Sequence, residues 1–149
     1  MAIGIVDAPY IWNGAKLATA LPKSVWKPEV YQNCIDSEQL GKVALGWGLS
    51  AYRFDQYRSK EQPPANQLVC PKTVDISKLN GVLSGTYLCR DLINMPANHL
   101  TPVKLESEAR QLAAAHHANI AVHDGDQLAS AFPAIHTVGR AAEIGPRLI

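Results

Sequence analysis

Arg90-Asp91-Leu92-Ile93-Asn94-Met95-Pro96-Ala97-Asn98 is the stretch on which the reading of this chain turns. A proline pushes the residue before it out of the helical region, so a helix arriving from the N-terminal side stops short of Pro96. The ring then fixes the exit angle. Asn94 and Asn98 can bond backbone groups left open where the helix ends, and Arg90 and Asp91 can tie the corner to neighbouring elements. Physically this is a polar corner joining two segments rather than a catalytic constellation. Upstream of it, Leu79, Val82, Leu83, Tyr87, Arg90 and Ile93 lie along a helix opened by Asp75 or Ser77, with Gly81 and Gly85 inside. Downstream, Thr101-Pro102 starts another helix, Thr as cap and Pro at the first helical position. Glu106 and Glu108 early and Arg110 later suit its dipole. Leu105, Ala109, Leu112 and Ala113 are expected to form its buried stripe, and it runs to about His117.

Further towards the N-terminus a stronger helix is expected. Asp36 or Ser37 caps it, and Gln39 supplies the second half of a capping box. Leu40, Val43, Ala44, Trp47 and Ala51 share one face, and the helix ends near Tyr52. Gly41, Gly46 and Gly48 each cost up to ~1 kcal/mol of propensity relative to Ala. Glycine that survives such a cost in a helix marks close packing against another backbone. Before this helix, Ala2–Val6 is a buried-strand candidate and 15–21 a short helix. Trp12, Leu17, Leu21 and Trp26 serve as apolar anchors there, while Asn13-Gly14, Pro22 and Pro28 break any long element. Arg53 to Asn66 reads as a surface loop and Gln67–Cys70 as a short strand closed by Pro71. Beyond the Thr101 helix, Asn119–His123 alternates as a strand, Asp124-Gly125 turns the chain, and Asp126–Phe132 is a short helix stopped by Pro133. Pro146-Arg147-Leu148-Ile149 looks like the opening of a strand, and a chain that stops on an apolar strand is unlike a natural terminus. Alternating helices and strands indicate an α/β fold.

The chain has 149 residues, 47% of them hydrophobic and 18% charged, which is a globular composition. Lys+Arg number 14 against 13 Asp+Glu, a net charge of +1, so the basic excess that phosphate contacts require is missing and nucleic acid is an unlikely partner. No apolar run approaches the ~20 residues of a membrane span, and residues 1–7 lack a signal peptide's basic start. Cys34, Cys70 and Cys89 are odd in number and widely spaced, which fits a reducing cytosol. Each is read as a small buried apolar residue.

Chemistry is sparse. His99, His116, His117, His123 and His136 form no His-Glu-x-x-His motif, and no Cys-x-x-Cys occurs. His116 and His117 are neighbours about 100° apart on a helix and read as solvated helix-end residues. Asp124 and Asp126 bracket Gly125 and read as a cap and a turn residue. No Gly-x-Ser-x-Gly elbow or phosphate loop is present. No catalytic, cofactor-binding or metal-binding residue is assigned.

At the corner quoted first, the sequence resembles the leucyl aminopeptidase (cytosol aminopeptidase) family. The resemblance runs through Arg90–Asn98 into Leu100-Thr101-Pro102. It continues in Phe132-Pro133-Ala134-Ile135-His136-Thr137-Val138-Gly139-Arg140-Ala141-Ala142 and Pro146–Ile149. A weaker likeness covers Ala44-Leu45-Gly46-Trp47-Gly48-Leu49-Ser50-Ala51-Tyr52-Arg53-Phe54. The family pairs a small N-terminal α/β domain with a larger α/β catalytic domain that binds two divalent metals, zinc or manganese, and removes N-terminal residues from peptides. The resemblance implies a cytoplasmic homo-hexamer acting on peptides when complete. It places the end of the N-terminal domain in 1–66, a linker strand and helix in 67–98, and the start of the catalytic domain in 99–149. The family's metal and catalytic motifs, a Val-Gly-Lys-Gly-like run and an Asn-Thr-Asp-Ala-Glu-Gly-Arg-like run, have no counterpart here, and its first strands are missing. Met1 is therefore read as an internal methionine and the chain as an incomplete piece, inactive alone. The alternative is a stand-alone, non-catalytic assembly or regulatory module.

Overall fold

The computed structural model describes residues 10–29, 35–59 and 65–149. The strand expected at Ala2–Val6 and Cys34 lie outside these. In chain order the elements are α1 (Tyr10–Ala20), β1 (Val25–Trp26), α2 (Ser37–Ala51), β2 (Gln67–Leu68), α3 (Ile76–Asn94), α4 (Pro102–Ala115), α5 (Gly125–Ala131) and α6 (Pro133–Gly139). The architecture is α/β and helix-rich, with one two-stranded parallel sheet among the described residues. The chain divides into two compact units, Met1–Asp91 and Leu92–Ile149.

In the first unit α2 starts where its side chains dictate. Asp36 Oδ1 accepts the Gln39 N–H at 2.7 Å, and the Asp36 N–H donates to Gln39 Oε1 at 2.8 Å. Two otherwise open donors are thereby satisfied reciprocally. Leu40, Val43, Ala44 and Trp47 of its apolar face are buried, and α1 lies against α2. The approach is backbone on backbone. A Cβ on Gly14 of α1 would lie 2.0 Å from the Val43 carbonyl oxygen, and one on Gly46 of α2 would lie 1.8 Å from that of Ile11.

This corrects the expectation that Asn13-Gly14 breaks the first helix, since α1 runs through both residues. Glycine costs about 1 kcal/mol inside a helix. Each large apolar side chain that the close approach lets α2 bury returns roughly 1.5–3 kcal/mol. Leu21 is buried as expected of an anchor, whereas Trp12 is 64% exposed.

The sheet was half visible in the sequence. β2 is shorter than the strand expected at Gln67–Cys70, and its partner β1 was not anticipated. The two run parallel with Val25 opposite Gln67 and Trp26 opposite Leu68. Asn66 locks this corner. Its Nδ2 donates to the carbonyls of Ala18 and Leu21 at 2.9 and 3.0 Å, and its Oδ1 accepts the Ser24 N–H at 2.9 Å. Trp47 Nε1 donates to the Asn66 carbonyl at 3.0 Å. One residue, through its side-chain amide and its backbone carbonyl, thus ties the end of α1 and the start of β1 to α2.

α3 opens with Asp75, whose Oδ1 accepts the Lys78 N–H at 3.0 Å, and stops two residues before Pro96. Its expected apolar line is only partly covered. Leu79, Leu83, Tyr87 and Arg90 are half-buried, but Val82 and Ile93 are exposed. Cys89 is exposed too, and Cys70 half-buried, so neither is the buried residue expected. Cys89 falls on the side of α3 away from Leu83, Tyr87 and Arg90, by the 100° step of the helix.

In the second unit Thr101 caps α4 by accepting the Lys104 N–H at 3.3 Å, with Pro102 in the first turn. The helix ends at Ala115, His116 is its C-cap and His117 takes the left-handed conformation at φ 52. Both histidines are exposed, as read from the sequence. The expected buried stripe is overturned, because α4 buries no residue, and Leu105 and Leu112 are exposed. No described element packs broadly across that face.

The strand expected at Asn119–His123 is reduced to an antiparallel bridge between His123 and Leu148, with N–H···O bonds of 2.9 and 3.0 Å in the two directions. Leu148 is also all that the expected C-terminal strand contributes. A strand is made by its partner's hydrogen bonds, and here one residue on each side finds one. Pro133 does not merely stop α5. It occupies the first turn of a further, unanticipated helix, α6, where its missing N–H costs nothing. Leu128, with no exposed surface, is the centre around which α5 and α6 pack.

Candidate functional site

The corner singled out first assembles around the C-terminal turn of α2. That turn leaves carbonyls without helical partners, has no basic residue of its own and exits through Tyr52 at φ −57, ψ 136. α3 supplies what is missing. Tyr87 OH donates to the Gly48 carbonyl and Arg90 Nη1 to that of Leu49 at 2.8 Å. Tyr52 OH donates to Asp91 Oδ1 at 2.8 Å. The guanidinium of Arg90 sits 5.2 Å from the Tyr52 ring centre, and the Tyr52 and Tyr87 rings are 5.3 Å apart. Burial pushes the Tyr87 phenol above its ordinary pKa, with Arg90 opposing. Arg90 and Asp91 do tie the corner to a neighbouring element, as their types suggested. The tyrosines that complete it were not assigned a role from sequence, because they come from positions 35 residues apart. The arrangement holds backbone in place.

A cleft of about 290 Å³ in the same unit is lined by Thr19, Lys23, Ser50, Arg53 and Asn66 among others. Its hydroxyls are committed to helix carbonyls, Thr19 to Lys16 at 3.0 Å and Ser50 to Trp47 at 2.8 Å. Asn66 is spent on the clasp described above.

The second unit gathers charge instead. Glu106 of α4 accepts from Arg110 Nε at 2.7 Å and from Arg147 Nε at 2.5 Å, and Arg147 Nη2 lies 3.6 Å from Asp124. The Arg110 hydrogen bond and then that of Arg147 hold the Glu106 carboxyl below its ordinary pKa, with desolvation opposing. Asp124 occupies the N-cap position of α5 without a side-chain cap bond, which revises its reading as a cap. Its carboxylate faces Arg147 instead. His123 packs on Phe132 at 5.3 Å, and its Nδ1 is buried without a hydrogen-bond partner.

Among the described residues no three His, Cys, Asp or Glu side chains are placed to hold a metal ion. Glu106 and Asp124 already share a guanidinium, that of Arg147. The described residues therefore do not fit a two-metal centre. No helix of the described residues is long and apolar enough to cross a membrane.

Two family models match in sequence order: the M17 aminopeptidase N-terminal domain over residues 1–71, and the catalytic domain of the cytosol aminopeptidase family over residues 87–149. The "probable cytosol aminopeptidase" of Geobacter sp. (strain M21) is 32% identical over 92% of this chain and 28% of its own length. That of Sinorhizobium medicae (strain WSM419) is 30% identical over 74% of this chain and 26% of its own. The crystal structure of the cytosol aminopeptidase from Coxiella burnetii superposes with a TM-score of 0.87 at 30% identity, over 97% of this chain and 31% of that one. The bottromycin maturation enzyme BotP in complex with Mn gives 0.78 at 27% identity, over 93% and 31%. This chain thus spans less than a third of the length of these relatives. The two consecutive family matches, with a fold that superposes on the corresponding third of a solved cytosol aminopeptidase, place the chain in the cytosol aminopeptidase (M17) family.

Proposed function

We propose that this chain is the stretch of a leucyl-type, metal-dependent aminopeptidase that leads into its catalytic domain, and that by itself it is inactive. Residues 1–66 would end the N-terminal domain, 67–98 form the linker strand and helix, and 99–149 begin the peptidase domain. The whole protein would release N-terminal amino acids from peptides in the cytosol, as a homo-hexamer holding two zinc or manganese ions. The observation that carries this reading is the order of the two family matches along one chain. Capped helices and clasped corners among the described residues support a scaffolding contribution for this segment.

The test is hydrolysis of leucine 4-nitroanilide with added Mn²⁺ or Zn²⁺, comparing the 149-residue chain with the product of the complete gene. The expected result is turnover by the complete product, abolished by a chelator, and none by the short chain. Turnover by the short chain, or a complete product inactive with either metal, would sink the proposal. A short chain that stays monodisperse and comes from a gene coding for nothing more would favour a non-catalytic module instead.

A further inference from the structure

We propose that α3 and the last turn of α2 form a single detachable latch, in which Tyr87 and Arg90 of α3 serve as the missing C-terminal cap of α2, so that the two open and close together. Three observations support it. First, the last turn of α2 lacks the usual caps. It ends without a left-handed residue and without a basic side chain in its last turn, the usual ways of satisfying terminal carbonyls. Second, the groups that replace a cap come from one face of α3. Leu83 fills the space over Gly48, where a Cβ would meet its Cδ1 at 2.5 Å, and Tyr87 and Arg90 follow four and seven residues later on the same side. They meet the carbonyls of Gly48 and Leu49, while Asp91 holds Tyr52 just beyond. Arg90 also places a positive charge at the negative end of the α2 dipole.

Third, among the described residues α3 has no buried stripe to hold it to this unit. The helix has 19 residues and buries none of them. A Cβ on Gly81 or Gly85 would meet nothing within 4 Å, so these glycines weaken the helix with no close approach gained in return. A helix seated by polar groups, stacked rings and half-buried leucines, with no fully buried residue, detaches at lower cost than one with a buried stripe. When it does, two α2 carbonyls lose their donors, so fraying of α2 and release of α3 are one event.

Hydrogen exchange read by mass spectrometry on the full chain tests this. In Arg90→Ala, segments 48–54 and 79–91 are expected to exchange faster together, by about tenfold, while 37–47 and 102–115 keep their rates. Tyr87→Phe, which deletes one hydroxyl and keeps the ring, should move the same two segments by about threefold. Faster exchange in 79–91 with 48–54 unchanged, or no change in either, overturns the latch. If Arg90→Ala also releases 37–47, the whole unit has loosened, and Tyr87→Phe decides by the same two criteria.

Discussion

The helices α2 and α4 begin alike and end in different circumstances. Both are started by a side-chain cap, Asp36 with Gln39 in one and Thr101 with Pro102 in the other. Both carry an apolar stripe at helical spacing. In α2 the stripe is buried because Gly14 and Gly46 let α1 come within backbone contact. In α4 no residue of the stripe is fully buried and its leucines are exposed, while Glu106 is well covered where it receives Arg110 and Arg147. Capping settles where a helix starts. Whether its apolar face is covered depends on a partner surface of the right shape, which no local rule supplies.

The largest effect that would sharpen this contrast is expected at Gly46. Gly46→Ala drives a methyl into the Ile11 carbonyl, a backbone atom that cannot rotate away. It should cost about 3 kcal/mol, read from urea denaturation by circular dichroism. A loss below about 1 kcal/mol would mean that the two helices do not depend on their close approach. Leu128→Ala should cost the second unit about 2–3 kcal/mol, since that side chain is its fully buried one. Amide exchange should speed in α5 and α6 and stay unchanged in α1 and α2. Equal loosening of both helix pairs would erase the distinction between the units.

A smaller effect concerns acid. The Glu106 carboxyl is held below its ordinary value by Arg110 and then Arg147. The stability it contributes is therefore complete above the unfolded carboxylate pKa of about 4.3 and lost as pH falls through the lower folded value. Exchange at residues 145–148 should accelerate over that window, and Glu106→Gln should flatten the dependence. An unchanged pH profile in the variant would show that the ion pairs contribute nothing there. The smallest effect has the opposite sign. Gly81→Ala in α3, where the added methyl meets nothing within 4 Å, should stabilise by about 0.5–1 kcal/mol. A destabilised variant would reveal a packing surface on that side of α3.

These expectations also show what was legible in advance. The corner at Arg90 and Asp91 was readable as a tie between elements, because a charged pair at a proline-stopped helix end has few other uses. That it ties to the carbonyls of Gly48 and Leu49, about 40 residues away, was not readable, since nothing in local spacing names a distant acceptor. Asn66 was read as loop, yet it clasps α1, β1 and α2. Its role rests on four partners, Ala18, Leu21, Ser24 and Trp47, that only folding brings within reach. Arg147 was read as part of an opening strand, and the structure turns it towards Glu106 and Asp124.

By itself the sequence determined the starts of α2, α3 and α4, the stop before Pro96, the α/β class and the family resemblance. Each of these rests on chemistry within about four residues or on an unbroken motif. The Pro133 helix start is local chemistry too, which a stop reading passed over. The tertiary structure alone decided that α1 runs through Asn13-Gly14, that β1 exists, that Asn119–His123 pairs at one residue and that the α4 stripe stays exposed. These four share one reason: strand pairing, apolar burial and the toleration of glycine inside a helix are set by a second surface, and a second surface is not a property of any one stretch of sequence.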